Sequence, residues 1–557
     1  MNNRLIYNTL LLIGMSLNAF CQSADALMVQ ESVQLVIDRN LYVAGEEIQF
    51  AAFVSAMEGP QNQLSKVLYA EIIEPDGKSL VNGKSLITNH FSSGSLNIPI
   101  DLISGIYYIR AYTRVMRNQG PGAYAYCLVK IVNPLVTDVL EGTDSLVLKP
   151  VEAISDGQWG QQRITLPKAR FLPRETINPV VSADQNNAKI NFRCVSVVPE
   201  ACFTEADFTP VAKSPAPGNQ LYYAETRGVS VTGEVRDKKN DRLLPGIRIN
   251  LSIIGEGRDF MATQTDSAGQ YYFSLPAYHG YRDVFICAET ADTAVQAVVY
   301  IDNDFCVQPV RLLSPAFSLS TEESAAALQL ARNLRITNQF QTIATDKTSV
   351  LDYDEKAFYG RPNIKLELEN YVLLPTMEEY FVELPTMVKL RKKQGIKYFK
   401  VFGPQSEMTF NDPLVLVDWV AINNPEKVLA VSPSNVARIE VVNEPYVKGD
   451  ITYGGIVSLI SKRGDFAGID LPSSGVFLNY LFYSNPTNFS TQMSDLQSIP
   501  DARNTLLWVT DFGSEQPDAH RLQLTAPDSP GKYIILWREL SSDGLIQTTM
   551  AKFEVHP

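Results

Sequence analysis

Residues 95–112 read SLNIPIDLISGIYYIRAY: an alternating strand, a turn, and a second strand opened by Gly-x-Tyr at Gly105-Ile106-Tyr107. The half-motif returns at 521–537 as RLQLTAPDSPGKYIILW and more loosely at Gly269-Gln270-Tyr271. Period-two alternation marks a strand with one wet face, and a repeated strand-turn-strand unit predicts several small stacked sandwiches rather than one catalytic barrel. Upstream, Val33, Leu35 and Ile37 alternate. A polar break across 38–46 contains Gly45, and alternation resumes at Ile48, Phe50, Ala52 and Val54. Pro75-Asp76-Gly77 is a turn signal, because Pro presets φ and Gly accepts positive φ. The segment 30–134 therefore has the size and strand spacing of an antiparallel sandwich.

Further along, strand-like pieces at 163–166 and 188–198, with prolines between them, suggest a second sandwich over 135–226. Residues 227–303 form a third. There Ile247, Ile249, Leu251 and Ile253 alternate with Arg248, Asn250 and Ser252, and Pro245-Gly246 turns into the strand. The period changes at Ser320-Thr-Glu-Glu323, a capping-box signature, after which Ala327, Leu330, Ala331 and Leu334 share one helical face. This predicts a helical linker over 304–354. Helix starts at Thr376-Met-Glu-Glu379 and Ser432-Pro433, with buried strands at Leu414–Asp418 and Arg438–Val442, make 355–484 a mixed α+β domain. Residues 500–557 return to β as a small terminal domain. The expected fold class is mainly β: tandem immunoglobulin-like sandwiches plus one α+β domain.

A length of 557 residues suits about three to five domains. With 48 basic and 61 acidic residues the net charge is −13, which leaves no basic field for a phosphate backbone, so nucleic acid is not an expected partner. The 45% hydrophobic content is enough for several packed cores. Residues 1–23 carry one cation, Arg4, an apolar run near Leu10–Leu17 and then small residues. This is the layout of a secretory leader, cleaved between Cys21 and Gln22; bulky Phe20 makes lipidation of Cys21 the lesser alternative. The run is too short for a permanent span, and no later stretch reaches ~20 apolar residues, so no transmembrane helix is expected. Of the remaining cysteines, Cys127, Cys194, Cys202, Cys287 and Cys306, most sit in apolar strand text as buried small hydrophobes. A Cys194–Cys202 or Cys287–Cys306 disulfide is the alternative in an oxidising compartment.

Three stretches resemble known families. Asp38-Arg39, Tyr42 and Gly45-Glu46, with Gly105-Ile-Tyr107 and Ile109-Arg-Ala-Tyr-Thr-Arg-Val-Met-Arg117, resemble the second macroglobulin-type domain of alpha-2-macroglobulin relatives, in a version common in secreted Bacteroidetes proteins. Gly233, Pro245-Gly246, Asp266, Gly269 and Phe273-Ser-Leu-Pro276 look like a carboxypeptidase regulatory-like domain, also a sandwich. Asp412-Pro-Leu-Val-Leu-Val-Asp418, Ser434–Glu440, Tyr453-Gly-Gly-Ile-Val-Ser-Leu-Ile460 and Lys462-Arg-Gly464 are similar to the plug domain of TonB-dependent outer-membrane receptors, with Trp419 where that family carries glycine. The 93 residues after Gly464 are too few for a membrane barrel. The resemblance therefore implies a plug-like fold without its pore.

Catalytic signatures are missing from the sequence. No cysteine sits in Cys-x-Glu-Gln, which argues against thioester capture. The four histidines, His90, His279, His520 and His556, fall in no zinc motif, and no Gly-x-Ser-x-Gly elbow occurs. Asp302-Asn303-Asp304 lacks the remaining ligands of a calcium loop. Glu378, Glu379 and Glu383 read as a solvated helix face near an N-terminus, and Gly454, Gly455 and Gly464 as turn glycines. No catalytic, cofactor or metal residue is therefore expected. The expected role is that of a non-enzymatic exported scaffold in the periplasm or at the outer membrane, docking an envelope protein through the plug-like domain. A steric, thioester-free protease inhibitor with a bait loop at 205–226 is the alternative.

Overall fold

The computed structural model describes residues 30–58, 64–144, 164–182, 190–203, 221–255, 258–290, 295–341, 357–393, 395–485, 499–510, 519–541 and 546–556. The Cys21–Gln22 cleavage site and most of the bait candidate 205–226 lie outside them. The molecule is mainly β, built from paired sheets and one α+β domain.

In the first sandwich, Gln30–Ile37, Glu47–Glu58 and Phe91–Asn97 form one sheet. Leu41–Val43, Ala125–Val132, Gly105–Tyr112, Val67–Ile73 and Ser79–Leu86 form the other. Ile48, Phe50, Ala52 and Val54 enter the core between them, as their alternation predicts. Two strands exceed that expectation, because Val67–Ile73 and Gly105–Tyr112 are buried on both faces. Their outer face, with Tyr69, Tyr108 and Tyr112, packs against Val229, Cys306, Val310 and Leu312. Segment 304–319 is thus a strap rather than part of a helical linker, and it bonds through Val310 N to Asp76 O and Leu312 N to Pro75 O.

The helix that follows, Thr321–Gln341, is capped as its sequence predicts. Glu323 N donates to Ser320 Oγ at 3.1 Å, and Ser320 N donates to the Glu323 carboxylate at 2.8 Å. Its face of Ala327, Leu330, Ala331 and Leu334 packs on Leu41, Val43 and Cys202, so the helix seals a joint and does not bridge two distant bodies.

Chain order and spatial order part company after this. The middle sandwich pairs Gln270–Ser274, Ser230–Asp237 and Ala297–Ile301 with a four-stranded sheet of Asp259–Gln264, Arg248–Ile254, Tyr281–Glu289 and Val476–Leu481. Val476–Leu481, expected in the α+β domain, is instead its edge strand, in register from Tyr281↔Leu481 to Ile286↔Val476. The segments 135–226 and 500–557, expected as separate domains, share one five-stranded sheet. Its order is Arg170–Phe171, Ile546–Val555, Gly531–Ser541, Ile190–Pro199 and Leu507–Val509. Val195 and Val197 stand opposite Trp537 and Ile535 and share one core with them, so register and apolar match, not sequence proximity, choose the partner. The α+β domain is therefore inserted in the middle sandwich, which itself lies between the two halves of the terminal one.

The α+β domain carries a mixed sheet of Ile364–Glu367, Val436–Val442, Ile456–Ser461, Leu414–Val417 and Val420–Ala421. Thr376 caps the helix Met377–Glu383 by accepting from Glu379 N. The helix expected at Ser432-Pro433 is only a single 3-10 turn, Pro433–Asn435, because Val436 already begins a strand. The neighbouring helix, Pro425–Leu429, starts on an Asn424 cap with Pro at its first position.

Candidate docking domain and the joints that hold it

The chemistry-bearing residue types are occupied with structure. Among the described residues no group of three His, Cys, Asp or Glu side chains forms a metal-ligating cluster. Asp302 accepts from Thr232 Oγ1 at 2.6 Å, Asn303 caps Phe305 N at 3.0 Å, and Asp304 takes Lys84 Nζ at 2.6 Å, so this triplet is a strand-end turn. Glu378 pairs with Lys397 at 2.6 Å. Gly454 and Gly455 lie under close strand approach, where a Cβ would sit 2.2 Å from Asn411 O and 2.6 Å from Val442 O respectively. Of the histidines, His90 Nδ1 meets Val54 O, His279 Nδ1 meets Ser484 O, His520 lies against Trp537, and His556 Nε2 lies 3.1 Å from the Glu554 carboxylate. A cavity of about 260 Å³ opens between the first and middle sandwiches, lined by Ser85, Phe91, Ser92, His279, Tyr483 and Asn485 among others. Two of its hydroxyls, Ser85 and Ser92, are bonded to each other.

Neither alternative disulfide, Cys194–Cys202 or Cys287–Cys306, forms. All five described cysteines are free thiols. Cys194 lies within the extended strand Ile190–Pro199, packed with Val36, Ala51 and Trp508, whereas Cys202 lies beyond its end against Leu41 and Leu330. The five steps of extended strand from Cys194 to Pro199 span roughly 16 Å and carry the two thiols into separate packing clusters. Burial pushes the Cys194 thiol up to about 11, and those of Cys127, Cys202 and Cys287 up to about 12. Native protein should therefore react with an aromatic disulfide reagent roughly a hundredfold more slowly than denatured protein, which should release all five thiols without prior reduction. A count of three would mean one bridge.

Two polar joints fix the units to one another. At the first, Lys84 from the first sandwich donates to Asp304, to Tyr480 Oη at 3.1 Å and to Leu481 O at 2.7 Å. Beside it Arg114 donates to Ser230 and Thr232, Glu225 accepts from Tyr69 Oη at 2.9 Å, and Arg110 pairs with Glu71 at 2.6 Å with both side chains fully buried. Burial raises the Glu225 carboxyl above its ordinary range, against the opposing pull of Arg114. The second joint is built from the Asp38–Glu46 loop. Arg39 pairs with Glu46 at 2.7 Å and lies 4.4 Å from the Tyr42 ring centre. Asp38 accepts from Tyr42 Oη at 2.7 Å and from Thr505 Oγ1 at 2.6 Å. Asn504 reaches both Glu46 and Leu330 O, tying in the terminal domain and the helix.

The α+β domain hangs on this frame through a third contact. Asp418 and Trp419 form the two-residue loop between Leu414–Val417 and Val420–Ala421, with φ of 45° and 73°. Two positive φ values define a type I′ turn, whose second position favours glycine. Trp419 accepts that conformation because its ring is held by Phe358, Tyr359 and the Arg258 guanidinium, 5.1 Å from its centre, and Arg258 belongs to the middle sandwich. Asp418 fixes the loop by accepting from Ser461 N, Ser461 Oγ and Phe466 N.

Elsewhere in the domain the backbone at Val372–Leu374 is pinned. Buried Tyr380 donates its hydroxyl to Val372 O and accepts from Leu374 N, both at 3.3 Å. Yet Val372 and Leu373 are 84% and 69% exposed, and Val382 on the adjoining helix is exposed too. Sequence reading singled out none of these residues, nor the cationic run Lys389–Lys400. The signal available for the latter was local charge density in an acidic chain.

No family model matches this chain, and no curated protein matches it. Among solved structures it is similar to Salmonella alpha-2-macroglobulin reacted with methylamine: 10% identity over 95% of this chain and 23% of that one, TM-score 0.15. It is also similar to trypsin-activated alpha-2-macroglobulin from Escherichia coli, at 9% identity, 95% and 42% coverage, and TM-score 0.23. Dimeric latent PorU from Porphyromonas gingivalis matches at 10% identity, 51% and 34% coverage, and TM-score 0.15. These are partial likenesses. The chain spans less than half the length of each of these proteins.

Proposed function

We propose that this chain is an exported, non-enzymatic binding protein whose sandwiches act as a stiff frame presenting the α+β domain to an outer-membrane barrel protein or envelope complex. The observation that carries the reading is the pinned loop at Val372–Leu373. Its backbone is ordered by a buried tyrosine while two adjacent aliphatic side chains face solvent, the arrangement of a surface awaiting a partner. The leader-like residues 1–23 and the plug-like text at 412–464 support the setting. Among the described residues no helix is long and apolar enough to cross a membrane.

Affinity purification from gently solubilised outer membranes of the host, followed by mass spectrometry, should recover a barrel protein in near-stoichiometric amount. Val372→Asp with Leu373→Asp should cut that recovery by at least about tenfold, while stability changes by no more than ~0.5 kcal/mol because neither side chain is packed. Recovery unaffected by the substitutions, or wild-type protein recovered alone, would reject the docking role.

A further inference from the structure

Residues 388–401 hold Lys389, Arg391, Lys392, Lys393, Lys397 and Lys400 and no acid, in a chain of net charge −13. They fold as a hairpin of Val388–Lys393 and Ile396–Val401. One face buries Val388, Phe399 and Val401 in the domain core, with Phe399 4.8 Å from the Phe381 ring. Register sets Lys389 opposite Lys400 and Lys392 opposite Lys397. Like charges directly opposite in a strand pair are destabilising, so folding alone gives no reason for them. Lys397 is answered by Glu378 and Lys400 by Asn411 O at 2.8 Å, whereas Lys389 and Lys392 have no ion-pair or hydrogen-bond partner among the described residues.

Apolar groups stand beside these cations. Arg391 lies over the exposed ring of Phe402 at 5.9 Å, Phe410 adjoins the Asn411 carbonyl that holds Lys400, and Ile396 caps the hairpin tip. Phe410 and Ile396 are 84% and 61% exposed.

We infer that this hairpin face seats on the surface of an anionic lipid bilayer. Lys389 and Arg391, on the strand face opposite Val388, would meet head-group phosphates, with Ile396, Phe402 and Phe410 entering the interfacial layer. Two features favour a bilayer over an acidic protein. The cations are mostly lysines, compact charges on flexible stems that suit laterally mobile phosphates better than fixed bidentate recognition. The apolar side chains project outward, as interfacial insertion requires, whereas protein hot spots fill packed pockets. Self-repulsion from the acidic remainder is screened beyond about 8–10 Å at physiological salt. The inference deepens the envelope-docking reading and rests on it only for its setting.

The full chain without its leader would be mixed with phosphatidylethanolamine vesicles containing or lacking phosphatidylglycerol, and bound protein collected by flotation. Binding should require phosphatidylglycerol and weaken with added salt. At about fivefold per cation, Lys389→Gln/Arg391→Gln should lower partitioning roughly 25-fold. Lys389→Arg should retain binding, and Ile396→Ser/Phe410→Ser should weaken what survives at high salt. Equal binding to neutral vesicles, indifference to the double substitution, or capture of polyglutamate without vesicle binding would overturn the inference. Vesicle binding without a barrel partner in the purification would reject the docking role and leave this one standing; the converse would do the opposite.

Discussion

Lys84→Met should weaken the joint between the first and middle sandwiches by about 3–5 kcal/mol, because it removes one member of a buried pair and leaves the other charged. The ammonium is nearly fully buried and donates three hydrogen bonds, to Asp304, Tyr480 and Leu481 O. Methionine fills similar volume, so the loss is electrostatic rather than a cavity. Arg114 stands 3.8 Å from the Asp304 carboxylate, too far to replace the missing 2.6 Å contact. A second substitution, Asp304→Leu, should restore more than half of the loss, since exchanging both members of a buried pair for apolar groups is often neutral. Urea midpoints and amide exchange in Ser79–Leu86 and Val476–Leu481 read the effect. A change below about 1 kcal/mol in the single variant would mean that water reaches Asp304 and that the pair is not a staple.

That lysine was invisible in the sequence for a physical reason. Period-two alternation reports how many faces of a strand are wet, and Asn82-Gly83-Lys84-Ser85 reads as an exposed edge. Its cover comes from Asp304 and from Tyr480–Leu481, nearly 400 residues downstream. Arg110 is the same case: GIYYIRAY predicts a strand, and the strand forms, but its outer face is sealed by the strap at Cys306, whose carbonyl accepts from Arg110. Features set within one or two turns of chain were readable, among them the Ser320–Glu323 box, the Thr376 cap and the alternation at Ile48–Val54. Features set by which distant edge a strand meets were not. Hence chain order alone groups Val476–Leu481 and the two halves of the terminal sheet with the wrong neighbours. The α+β domain's departure at Trp419 was legible as an oddity, while its meaning required the partner ring and cation from another unit.

Trp419 should reverse the usual order of alanine and glycine. A non-glycine residue at φ 73° carries roughly 1–2 kcal/mol of steric cost, which here is offset by burial of the indole against Phe358, Tyr359 and Arg258. Trp419→Ala removes that packing, at about 3–5 kcal/mol, and keeps the strained backbone. Trp419→Gly removes the same packing but also the strain, so it should be the more stable of the two by about 1 kcal/mol even though glycine gains entropy in the unfolded chain. Both should loosen the α+β domain on the middle sandwich, since the Arg258 contact is lost with the ring. Amide exchange around Ser461 and Phe466, whose N–H groups bond Asp418, should increase more in the alanine variant, where the turn is least well held. An alanine variant as stable as the glycine one would show that the loop abandons positive φ once the indole is gone. In that case the tryptophan, and not the hairpin register, would be what imposes the turn.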